Sequence, residues 1–246
     1  MTRGDYALAL ELYDKEFKRH PDKDLIKVEA WLHLRRFEEA RSALADAQHR
    51  KEELSAPQSH RTDLAVATWL CGKRQLAIEI LKTECDAILR GKTGYLNSSF
   101  GTEEGAYLFY FGAATKNVGV RRHACAYLEK LGRKRFFMGS PWPPRLHDYF
   151  RNRLSDVGMQ KLIGRIREER SRRFVVFNRT PEEVDAARAL TQAQDAAKMD
   201  FWQAIRLHAR EGKRAARPHY KRVCDAPPTL LLSDEWHLAR AEMEAQ

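Results

Sequence analysis

Apolar residues recur three and four positions apart through most of this chain, the spacing that lines one face of an α-helix. Tyr6, Ala9 and Tyr13 form such a stripe near the start, and Pro21, which lacks an N–H, ends it. Leu25, Val28, Trp31 and Leu32 form a second stripe, on a helix expected from about Asp24 to Leu34. Leu146, Tyr149, Phe150 and Leu154 belong to another, and Ala216, Tyr220 and Val223 to one nearer the end. Strict alternation is scarce: Phe174-Val175-Val176-Phe177 is β-rich but too short and isolated for a sheet, and reads as a packed connector. The pattern predicts an all-α protein with helix above roughly 60% of residues, against about one third in an average domain.

The stripes are punctuated at intervals. Taking Gly4, Arg35, Gly72 and Gly119 as helix–helix corners, a small residue follows each by five positions: Ala9, Ala40, Ala77 and Ala124. Nine positions on stand Tyr13, Leu44, Leu81 and Leu128. Leu108, Phe111 and Gly112 precede Gly119 at eleven, eight and seven positions, and Leu64-Ala65 precede Gly72 at eight and seven. Arg35 stands where glycine is usual, so its corner must form without one. The 91–102 stretch, rich in Gly, Ser and Asn, is an expected exposed loop between the third and fourth copies.

This arrangement resembles degenerate tetratricopeptide repeats, whose period is about 34 residues. The resemblance covers residues 4–132 and implies a right-handed α-solenoid of antiparallel helical hairpins. Pro141-Trp142-Pro143-Pro144, with an aromatic a few residues later, looks like a segment of bacterial tetratricopeptide lipoproteins, but their lipid-attachment cysteine is absent here. On this basis 1–132 is the repeat region and 133–246 a basic helical region continuous with it. The family resemblance further implies a non-catalytic scaffold whose first helices line a concave groove. Counted back from the corners, the partner-binding residues would be Leu32, Trp69, Phe109, Lys116, Trp202 and Arg206, with Trp142 and Arg145 from the Trp-Pro segment. Trp202 and Arg206 share a helical face, a large aromatic beside an arginine as in binding hot spots. The alternative is that Trp202 packs on the next helix.

Helix boundaries downstream carry their own signals. Ser155 is positioned to cap a helix reaching about Arg173. Thr180-Pro181-Glu182-Glu183 combines a cap, a first-turn proline and a capping-box glutamate, and opens a helix or two joined helices to about Glu211. Gly212 makes a corner, the following helix stops before Pro227-Pro228, and a last helix from Ser233 closes the array.

Charge narrows the partner. Lys plus Arg exceed Asp plus Glu by 44 to 34, a formal +10. The excess is local: 133–179 holds 13 basic and 4 acidic residues, and 206–222 holds 7 basic residues and one acid. A basic half favours an acidic protein segment, held by arginine forks, with nucleic acid as the alternative. No apolar run approaches a membrane span, and the first residues have no signal core, so a cytoplasmic location is expected. Cys71, Cys85, Cys125 and Cys224 form no CxxC pair and read as free thiols. Gly91-Lys92-Thr93 lacks the glycine and the preceding strand of a phosphate loop. There is no GxSxG, HExxH or zinc spacing, so neither catalysis nor a cofactor is expected.

Overall fold

The computed structural model describes residues 3–16, 23–53, 61–91, 101–133, 145–173, 180–226 and 233–244. They form twelve α-helices, with no strand among them. The helices are α1 Arg3–Glu16, α2 Lys23–His33, α3 Phe37–Glu53, α4 Arg61–Leu70, α5 Arg74–Leu89 and α6 Thr102–Ala114. They continue with α7 Val118–Arg133, α8 Leu146–Phe150, α9 Asp156–Arg173, α10 Pro181–Glu211, α11 Lys213–Asp225 and α12 Ser233–Glu244. The all-α reading therefore holds. Pro21, Trp142 and the Phe174–Phe177 connector fall outside the described residues, as does most of the 91–102 loop.

Four corners share one geometry. At each, a residue with positive φ follows the helix: Arg35 (64°), Gly72 (79°), Lys116 (54°) and Asn152 (60°). The next N–H reaches five residues back, Arg36 to Trp31 (2.8 Å), Lys73 to Thr68 (3.1 Å), Asn117 to Gly112 (2.8 Å) and Arg153 to Asp148 (2.8 Å). The corner residue's own N–H reaches three back. This is the Schellman closure, which satisfies carbonyls that the helix end would leave open. Arg35 and Lys116 adopt a conformation that favours glycine, and their cations sit at the negative end of a helix dipole.

Two expected corners move. Gly4 lies within α1, and Gly119 lies two residues inside α7. The fourth corner is instead at Lys116, because Asn117 caps α7: its Oδ1 accepts from the Val120 N–H at 3.1 Å. Gly112 has a different use. A Cβ there would stand 2.8 Å from Arg121 Cγ and 2.9 Å from Arg121 N, so the close approach of α7 to α6 requires glycine. The cap signals at Ser155 and Thr180 are realised. Ser155 Oγ accepts from the Gly158 N–H, and Thr180 and Glu183 exchange both capping-box bonds. α10 is one continuous helix to Glu211, and Gly212 follows with φ 91°.

The chain divides into two units, Met1–Leu108 and Phe109–Gln246, with the boundary inside α6. The sequence division at 132/133 marks where the charge changes, whereas this one marks where packing changes. In the first unit consecutive helices from α1 to α5 pack on one another. Tyr6, Leu10, Trp31, Leu32, Ala40 and Leu44 lie together in its core, and Ala77, Ile78 and Leu81 are buried further along. Of the four small-residue positions, Ala40, Ala77 and Ala124 are fully buried and Ala9 is half-buried. In the second unit α10, α11 and α12 pack together around Phe201, Ile205, Ala216, Tyr220 and Leu238, and α7 packs on α8.

Candidate functional site

α10 carries Arg206 inward, not outward. The side chain is buried, with Nη2 2.8 Å from Asp156 Oδ1 and Nη1 donating to the Leu154 carbonyl at 3.2 Å. Its guanidinium carbon lies 4.2 Å from the centre of the Tyr149 ring. The Tyr149 hydroxyl donates to the same Asp156 oxygen at 2.6 Å. Burial first, then that bond, holds the Tyr149 proton far more tightly than usual. Arg206 thus ties α10 to α8 and to the start of α9, and its charge is met inside the unit.

The other expected anchors are also inside. Trp202 is 1% exposed, so it fills the core beside Phe201 and does not stand on a solvent face. Phe109 is buried and stacks on Phe150 with centroids 4.2 Å apart. Leu32 is buried among α1–α3 residues, and Trp69 is buried with Arg74 over its ring at 5.4 Å. The helices use a wider apolar arc than one stripe, and the chain alone does not say which arc meets a neighbour. Lys116 and Arg145 are the exposed members of the set, and Arg145 donates from Nε to Asp148 Oδ2 at 2.9 Å. Trp142 lies outside the described residues.

Exposed charge collects on two neighbouring features of the second unit. α11 buries Ala216, Tyr220 and Val223 and exposes Arg214, Arg217, Lys221 and Arg222. Lys221 is paired with Asp225 (2.7 Å), and Arg222 with Asp200 (2.7 Å), which also meets His219 Nδ1 at 3.1 Å. The second feature is the junction of three corners. Arg121 Nη1 donates to the Ala209 carbonyl at 2.7 Å, which brings the Lys116 corner against the end of α10. Arg210 Nη1 donates to Asn152 Oδ1 at 3.1 Å, which brings in the Asn152 corner. Burial lowers the pKa of His208, Glu242 opposes that shift, and Lys213 and Lys116 add to it, while His208 Nδ1 faces the Tyr220 hydroxyl at 3.1 Å. Of these three corners only Gly212 was expected from the sequence, and nothing in the sequence signalled that they meet.

The first unit holds a buried acid. Glu104 on α6 accepts from Thr62 Oγ1 at 3.1 Å, and its pKa is pushed up to about 8, first by burial and then by Glu103. Glu84 on α5 is also buried, with Oε2 3.9 Å from Arg61 Nε. Grooves lie elsewhere: one of about 360 Å³ lined by Leu64, Leu76, Ile80 and Glu79, and one of about 300 Å³ lined by Ile163, Asp195, Met199 and Gln203. The four cysteines are free thiols. Burial raises the pKa of each above that of an ordinary thiol, which makes them poor nucleophiles at neutral pH. None of the described helices is long and apolar enough to cross a membrane.

No family model, curated protein or solved structure matches the chain.

Proposed function

We propose that this chain is a non-catalytic binding scaffold that holds an acidic protein segment. Its helices would be arranged as a right-handed α-solenoid of antiparallel hairpins similar to tetratricopeptide proteins. The repeated Schellman corner at Arg35, Gly72, Lys116 and Asn152 supports the hairpin repeat. The observation that carries the binding role is α11, whose apolar residues are spent on the core while its outer face is arginine and lysine. With Trp69, Phe109 and Trp202 buried, contact with a partner runs through basic side chains and not through aromatic anchors in a groove.

The second reading is nucleic-acid binding through the same arginines. Among the described residues no Phe, Tyr or Trp is fully exposed for base stacking, which favours the protein partner. Recovery of partners from native lysate, before and after nuclease, tests the choice. A protein that survives nuclease and moderate salt supports the scaffold. Recovery that disappears with nuclease, and affinity that falls steeply with salt, refutes it in favour of nucleic acid.

A further inference from the structure

We propose that the acidic segment docks on the edge of the second unit where the Lys116, Asn152 and Gly212 corners meet, and not on the faces of its helices. The inference rests on the acidic-partner reading above. Hydrogen bonds from Arg121 to Ala209 and from Arg210 to Asn152 hold the three corners together, so the edge is built from helix ends. Lys116, Arg153 and Arg214 are exposed there and make no ion pair among the described residues. Arg210, which also holds Asn152, lies 3.8 Å from Glu211, and Lys213 lies 3.6 Å from Glu242.

The interleaved carboxylates decide the occupant. Glu211 lies between Arg210 and Lys213 in sequence, and Glu242 lies against Lys213. A nucleic-acid strand carries a phosphate fixed in its backbone at every nucleotide, so its charges would run over both carboxylates and be repelled. Carboxylates at the ends of flexible peptide side chains can turn toward the cations and away from the acids. Among the described residues the edge also offers no exposed Phe, Tyr or Trp ring for a base.

The probe is fluorescein-labelled poly-L-glutamate of about 20 residues, measured by anisotropy beside a single-stranded oligonucleotide of similar charge. Lys116→Gly, Arg153→Gln and Arg214→Gln together remove three charges, and glycine suits the positive φ at 116. A matched variant, Lys130→Gln, Lys161→Gln and Arg165→Gln, removes three exposed charges away from the corners. The corner variant is expected to weaken glutamate binding about tenfold and the matched variant less than about threefold. Equal losses overturn the location while leaving the acidic-partner reading intact. Wild-type protein that binds no polyglutamate overturns that reading itself. Tighter oligonucleotide binding, lost in the corner variant, keeps the edge and overturns its occupant. The single variant Arg214→Gln, expected to weaken binding about two- to threefold, repeats the test without touching either positive-φ corner.

Discussion

Glu104 should make the first unit less stable as pH rises from slightly acid to slightly alkaline. Its carboxyl is buried, and the folded protein keeps the proton until about pH 8, against 4.5 for an unperturbed glutamate. Between those values the unfolded chain has released the proton and the folded one has not. Folding therefore takes up a proton, and stability falls as pH climbs, by at most about 1.4 kcal/mol per pH unit. Over the whole interval the loss is on the order of 5 kcal/mol, a large fraction of the stability of a typical domain. The informative window is about pH 6.5 to 8.5. Below it His147 and His208 of the second unit, both with lowered pKa, add a slope of opposite sign to any unfolding that includes that unit. Above it thiols released from burial begin to ionise in the unfolded chain. Glu104→Gln keeps the acceptor for Thr62 and cannot ionise. The assay is urea unfolding followed by hydrogen exchange of α4 and α5 amides, which reports this unit alone. The glutamine variant should gain on wild type steadily from pH 6.5 until the gain levels near pH 8. A difference that is flat across the window would refute the argument, because it would mean that Glu104 is charged in the folded state throughout.

Other outcomes follow from packing and backbone geometry. Trp202→Ala should cost about 3–5 kcal/mol by chemical denaturation, as expected for a buried aromatic, whereas an exposed groove anchor would leave stability nearly unchanged. Gly72→Ala should cost about 1–2 kcal/mol through its positive φ alone, since nothing lies near the added Cβ. Gly112→Ala should cost a comparable ~1–3 kcal/mol for the opposite reason, a clash with the Arg121 backbone, and its structure should show α7 displaced. Ala77→Leu should cost about 1–3 kcal/mol by overpacking, read as a lower urea midpoint at unchanged slope.

Local chemistry was legible in the sequence wherever the decision was local. The 3.6-residue spacing is enforced by the helix itself, so stripes such as Leu25-Val28-Trp31-Leu32 could be read without any neighbour. The caps at Ser155 and Thr180 and the corners at Arg35 and Gly72 likewise depend on a few adjacent residues. Gly119 misled because glycine is only one way to make a corner. Asn117 capping α7 moved the turn to Lys116, where a lysine accepts positive φ. What the chain could not decide was which apolar residue is surplus. Trp202 and Phe201 are adjacent and both apolar, and only the packing of α10 buries both. Arg206 shows the same limit for charge: its cation looked available until Asp156, Leu154 and Tyr149 were brought around it. The corner edge is wholly a product of tertiary structure, because Lys116, Asn152 and Gly212 lie far apart along the chain. Helix formation is settled by neighbours in sequence, whereas exposure is settled by whichever segment arrives to cover a face.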